Sequence, residues 1–245
     1  MKRKQKTILL FHEIESFLFK SNVGLILFLE IVCGILFTAF ALLIFAKLSD
    51  SILENQRFLF DSTIMQFILG FRSSSMTNVM IVLSIIGSTG IIFGSVVILV
   101  FLLLTRHWRE SVIYSAIVLM GAGLNALLKL LIQRPRPGLS PLVTETDFSF
   151  PSGHSMDSLI FFLTIAYFTF HFTRNRRVTV AVSVISIVLI FLIGVSRVYL
   201  GVHYPSDILG GYVAGIIWFV AIILLDRTFI FYKLFKETNA KRITL

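Results

Sequence analysis

The sequence predicts an all-α membrane protein: a polytopic bundle of six transmembrane helices with both termini cytoplasmic. Three observations predict it. Of the 245 residues, 56% are hydrophobic and only 14% are charged, far from the balance of soluble domains. Apolar runs near 23–47, 77–105, 111–132, 158–173, 178–196 and 208–225 lie close to the ~20 residues that a helix needs to cross a bilayer. The basic residues are also segregated. The termini and the 106–110 and 174–177 connections carry 15 of the 22 Lys and Arg, so the positive-inside rule makes that side cytoplasmic. The opposite side has seven basic and seven acidic residues, so the formal charge of +9 is a topology signal and not a nucleic-acid-binding surface.

The elements follow in order. The MKRKQK start runs into the mixed segment TILLFHEIESFLF, without a short apolar core and a small-residue cleavage site, so the first apolar run is expected to be a retained span. Segment 7–19 reads as a cytoplasmic anchor. Cys33, the only cysteine, falls in span one and leaves no disulfide framework or cysteine metal cluster. In the connection 48–76, the stretch SILENQRFLFDSTIMQFILGF mixes charge with Phe, Ile and Leu. That pattern predicts an interfacial helix, either a wall of a site or simple packing. Gly87, Gly90 and Gly94 recur at helical spacing in span two, and Gly90 with Gly94 would allow close helix approach. No internal repeat or low-complexity segment breaks the chain, which reads as a single integral-membrane domain over 1–245, with anchor and interfacial segments in 1–76.

Six spans place the connections 48–76, 133–157 and 197–207 on one face, and this co-location does not depend on orientation. Polar residues gather there at span ends, where charge is expensive unless it has a task. Lys129 ends span three, and the prolines of Arg134-Pro135-Arg136-Pro137 stop the helix. Either arginine of that stiff turn can offer a planar guanidinium to phosphate oxygens, with Lys129 as a point charge, but a rigid loop is expected to aim only one inward. Pro151-Ser152-Gly153-His154 precedes span four and predicts a helix N-terminus. Its free amides favour an anion, Gly153 permits close backbone approach, and Ser152 either caps the helix or bonds a phosphate oxygen. Ser196 and Arg197 end span five; His203 follows, with Asp207 four residues later. The two meet if a helix starts near Pro205, so Asp207 either orients His203 or complements the helix dipole.

Together these residues point to phosphoryl chemistry. His154, His203 and Asp207 have the ligand types of a metal site, yet Lys129, Arg136 and Arg197 would repel a cation and require an anion. A phosphoryl group fits, because its transfer rests on positioning and electrostatic stabilisation. His203 would attack phosphorus and His154 would protonate the departing oxygen.

At these positions the chain resembles the type 2 phosphatidic acid phosphatase family, lipid phosphate phosphatases that share a core with glucose-6-phosphatase and vanadium haloperoxidases. The family pattern is a lysine, six residues, Arg-Pro; then Pro-Ser-Gly-His; then Ser-Arg, five residues, His, three residues, Asp. Lys129 with Arg136-Pro137, Pro151 to His154, and Ser196-Arg197 with His203 and Asp207 fit it without substitution. The resemblance is strongest over about 121–215. It implies His203 as nucleophile, His154 as acid and Asp207 as partner of His203. It also implies a phosphate site of Lys129, Arg136, Ser152, Gly153 and Arg197, with no metal and no cofactor. By implication the protein is a bacterial-type enzyme of the cytoplasmic membrane that hydrolyses a lipid phosphate monoester or prenyl diphosphate on the extracytoplasmic side. Its partners would be the lipid substrate and the bilayer, with no nucleic acid and no obligate protein partner. The same residues leave open a phosphotransferase, or a lipid-binding or transport protein without turnover.

Overall fold

A computed structural model describes residues 22–56, 58–138 and 140–243. The anchor expected at 7–19 lies outside them. The described residues form α-helices with no strand: α1 Asn22–Leu53, α2 Leu59–Leu69, α3 Ser74–Ile85, α4 Ile91–Leu104, α5 Trp108–Ile132, α6 Gly153–Thr173, α7 Arg176–Tyr199 and α8 Pro205–Ile243. A π-helical turn, Ile86–Gly90, joins α3 to α4 into one span. Among the described residues, six stretches are long and apolar enough to cross a membrane, as the hydropathy predicts: Val23–Leu53, Ser74–Leu104, Trp108–Ile132, Gly153–Thr173, Arg176–Tyr199 and Pro205–Thr238. The helix expected between spans one and two is α2.

Polarity is arranged for a lipid solvent. Phe93, Leu104 and Phe191 are exposed, whereas Ser152, Ser155, Ser158 and Thr164 are fully buried. Hydroxyls inside the helices donate to their own backbone, as from Thr164 to the Ile160 carbonyl at 2.7 Å and from Thr169 to Ile165 at 2.8 Å. Such bonds remove the cost of an unsatisfied polar group where water is absent.

The chain divides into two compact units. In the one that holds the described residues up to Phe40 and from Val220 on, Gly34 gives room to the Leu224 side chain, and Arg227 Nε lies 3.6 Å from Glu30 Oε2. The other, 41–219, holds every motif residue. There α6 packs most extensively on α7, with α5 on the other flank of α6 and α3 on α7. Gly94 makes a close approach, since a Cβ would meet the Phe161 ring at 2.8 Å. Gly90 does not serve the packing expected of it: the nearest atoms to its Cβ position belong to Ile85 and Ile86 of its own turn. The π-helical turn shifts the register between Gly87 and Gly94, so Gly90 leaves the face those two share.

Helix ends are set by local chemistry. Asn175 caps α7 by accepting from the Arg177 and Val178 amides, and Ser152 caps α6 by accepting from Ser155. Gln133, at φ 50°, closes α5 just before the RPRP turn. Gly201, at φ 78°, turns the chain out of α7 toward Pro205, a favourable first helical residue. The four motif-bearing ends therefore come from α5, α6, α7 and α8.

Candidate active site

The site is built on Asp207, a fully buried carboxylate in the first turn of α8. Its Oδ2 accepts from the Tyr204 amide at 2.8 Å and lies 3.3 Å from His203 Nδ1, while Oδ1 accepts from Arg134 Nη1 at 2.5 Å. Asp207 thus contacts both the helix start and the imidazole. With Nδ1 facing the carboxylate, Nε2 is the nitrogen left to the other side, 3.3 Å from Arg136 Nη1. Burial lowers the His203 pKa below its ordinary value and outweighs the opposing pull of Asp207, with Arg136 and Arg197 adding to the lowering. The imidazole is therefore neutral at pH 7.

Both arginines of the RPRP turn face inward, which corrects the expectation that only one would. Arg136 donates to the Val202 carbonyl at 2.8 Å and to the Asp147 carbonyl at 2.9 Å. Arg134 serves the far side of Asp207. It also donates to Ser206 Oγ at 2.7 Å and to Asp61 Oδ2 at 3.1 Å, and its guanidinium lies 4.1 Å from the Tyr204 ring centroid. Asp61, from α2, in turn accepts from the Ser206 amide at 2.7 Å. The two arginines thus meet the histidine–aspartate pair at different atoms, Arg134 at Asp207 Oδ1 and Arg136 beside His203 Nε2.

The remaining cations meet carboxylates of the α5–α6 loop. Lys129 Nζ donates to Asp147 Oδ2 at 2.5 Å and to the Phe148 carbonyl at 2.8 Å. Arg136 also pairs with Asp147, and the buried Arg197 pairs with Glu145. Burial alone would raise the Asp147 pKa, but Lys129 and Arg136 outweigh it and hold the carboxyl below its ordinary range. Among the described residues, Arg197 Nε has no hydrogen-bond partner.

Arg197 also donates to Ser84 Oγ, which lies 3.4 Å from His154 Nε2. Ser84 therefore bridges the cation and the second histidine. Gly87 of the π-helical turn lies against both Ile193 and His154: a Cβ there would meet Ile193 at 2.6 Å and the His154 ring at 3.3 Å. Gly153 is similarly close to Asn125 Oδ1, at 3.2 Å. Ser152 is wholly buried, its amide donates to the Asp207 carbonyl at 3.0 Å, and its hydroxyl takes the capping role. Lys129, Arg136, Gly153, His154 and His203 line one cavity of about 440 Å³.

Sequence reasoning did not assign Arg134, Asp61, Ser84, Glu145 or Asp147. The available signal was charge balance: seven acidic residues share the face with seven basic ones, and buried cations require counter-charges.

A helical membrane bundle that presents two histidines, one backed by aspartate, to a cluster of Lys and Arg is an arrangement suited to an anionic, phosphoryl ligand. The model of the PAP2 superfamily matches residues 110–231. A crystal structure of a transmembrane PAP2-type phosphatidylglycerolphosphate phosphatase from Bacillus subtilis aligns with a TM-score of 0.70 at 30% identity, over 78% of this chain and 96% of that one. The chain belongs to the PAP2 superfamily. It is 45% identical over 100 residues to phosphatidylglycerophosphatase B of Bacillus subtilis, covering 40% of this chain and 49% of that protein. It is 31% identical over 115 residues to the undecaprenyl-diphosphatase BcrC of the same organism, covering 44% and 54%. The chain thus spans about half the length of these curated relatives.

Arg134→Ala strips two buried carboxylates, Asp61 and Asp207, of their shared cation. It is expected to destabilise the protein by about 3–5 kcal/mol, the scale for breaking a buried pair. Thermal unfolding in detergent measures this, and Arg134→Lys, which keeps charge without the fork, should recover only part of the loss.

Proposed function

We propose that this protein is a metal-independent phosphatase of the cytoplasmic membrane that hydrolyses a lipid phosphate monoester or prenyl diphosphate at the extracytoplasmic face. The observation that carries the proposal is His203, with Nδ1 on Asp207, Nε2 beside Arg136, and His154 and Lys129 lining the same cavity. Membership of the superfamily and the lipid phosphatases among its relatives support the same reading. The segregation of Lys and Arg to the opposite side supports the orientation.

The substrate phosphate takes over the cations that Asp147 and Glu145 now hold. His203 Nε2 forms a bond to phosphorus as the P–O bond to the leaving group breaks, and the electron pair leaves on the alcohol oxygen of a monoester or the bridging phosphate oxygen of a diphosphate. His154 delivers a proton to that oxygen. Water then attacks the phosphohistidine and gives a proton to His154, and the P–N bond breaks to release orthophosphate and neutral His203. Lys129, Arg136 and Arg197 stabilise the charge on the phosphoryl oxygens throughout; Gly153 lets the backbone approach them, and Ser152, if its cap opens, adds a donor. Asp207 and Arg134 keep the imidazole oriented.

Phosphate release from phosphatidylglycerol phosphate, undecaprenyl diphosphate and phosphatidic acid, with a His203→Ala control, tests the proposal. At least one lipid should be hydrolysed in the presence of a chelator, and the control should be inactive but folded. No release from any lipid, or loss of activity in chelator, refutes it.

The rate should follow a bell-shaped pH profile, since His203 acts neutral and His154 acts protonated. Because burial lowers the His203 pKa, protonation that silences the nucleophile occurs below 6.5, so the acid limb should fall below that pH. A flat profile from about pH 5 to 9, with chemistry rate-limiting, contradicts these roles.

Asp147 competes with the substrate for Lys129 and Arg136 and is half exposed. Asp147→Asn is therefore expected to tighten inhibition by orthophosphate about two- to fivefold, the scale of a partly exposed ion pair. A Ki measurement at fixed ionic strength reads it.

A further inference from the structure

Asp157 is a carboxylate that the mechanism above does not use. It lies in the second turn of α6, inside a membrane-spanning helix, and lines the same 440 Å³ cavity as His154 and His203. Among the described residues it makes no hydrogen bond and no ion pair; Lys129 acts on it only as a charge at longer range. Lys129 itself is already paired with Asp147. A carboxylate in a membrane helix with no protein donor is costly unless a ligand supplies one.

Its position along the cavity says which part of a ligand it meets. On α6 the lining runs from His154 in the first turn to Asp157, then to Ile160 and Phe161 one turn further in. The antiparallel α5 repeats that order, from Lys129 through Asn125 to the apolar Leu119. One end of the cavity is cationic, the other is apolar, and Asp157 stands between. Three residues of helix separate it from His154 by about 4.5 Å along the axis. With phosphorus among the cations and the leaving oxygen at His154, Asp157 faces the next carbons of the departing alcohol.

We propose that Asp157 is a specificity-determining residue that accepts a hydrogen bond from a free hydroxyl on the leaving alcohol, close to the ester carbon. It thereby favours lipid phosphate monoesters with a polyol head group over those whose neighbouring oxygen is acylated or whose leaving group is itself a phosphate. An acyl ester offers no donor, and a leaving phosphate brings a second negative charge toward the carboxylate. This inference rests on the phosphatase reading above.

The test uses the full chain in mixed detergent micelles, with phosphatidylglycerol phosphate, which has a free hydroxyl beside the ester carbon, and phosphatidic acid, which has none. The ratio of kcat/KM for the two lipids is measured for the wild type, Asp157→Leu and the near-isosteric Asp157→Asn. The ratio should fall about 10- to 100-fold in Asp157→Leu, the scale of a hydrogen bond to a charged group, and by less in Asp157→Asn, which keeps one acceptor. A ratio unchanged within twofold in both variants, or a parallel loss on both lipids, overturns the assignment while leaving the phosphatase reading intact. If Asp157→Leu does not fold, the Asp157→Asn ratio decides on the same criterion. Wild-type protein that releases phosphate from no lipid, under conditions where it is folded, refutes both.

Discussion

The carboxylate of Asp207 is the group on which the rest of the site depends. Taken fully out of water, it is tolerable only because a guanidinium, an imidazole and a backbone amide converge on it. Each of these comes from a different requirement of the chain. The amide of Tyr204 stands just ahead of the first turn of α8, which begins at Pro205, and donates to Asp207. The imidazole of His203 is one helical turn away. Arg134 arrives from the end of α5, and its second branch is balanced by Asp61 of α2. One buried negative charge therefore fixes the tautomer of His203, the path of the RPRP turn and the seating of α2.

A cluster of cations has to be neutralised whether or not an anion is bound. Lys129, Arg136 and Arg197 would repel one another in a medium of low dielectric, and the loop carboxylates Asp147 and Glu145 remove that repulsion. A phosphoryl group carries more charge and more acceptor oxygens than either carboxylate, so it can displace them charge for charge. The same loop leads directly into the Ser152 cap of α6. Binding at the cations is thus mechanically continuous with the helix that carries His154.

The membrane helices supply the rigid ends from which these groups project. Their apolar exteriors meet lipid, hydroxyls such as those of Thr164 and Thr169 bond their own backbone, and Gly87 of the π-helical turn lies against Ile193 and His154. The cavity that results is graded, from charge at the histidines to hydrocarbon near Phe161, which matches an amphipathic substrate with its head at one end.

Six spans, the position of the helix in the first long connection, and the grouping of Lys129, Arg136, His154, Arg197, His203 and Asp207 at neighbouring span ends were all legible in the sequence. Hydropathy, proline and glycine punctuation and the four-residue spacing of His203 and Asp207 are local properties, and local properties survive in a linear reading. The partners that make the site work were not legible. Arg134 reaches Asp61 across 73 positions, Arg197 reaches Ser84 across 113 and Glu145 across 52, and Asp157, inside a cavity, makes no hydrogen bond or ion pair among the described residues. Those outcomes depend on how helices rotate and pack, to which separation along the chain is blind. The sequence alone therefore determined which chemical groups share a face of the membrane. Only the tertiary structure decided which charges neutralise one another and which one remains for a ligand, because burial and distance assign partners and neither exists before the helices pack.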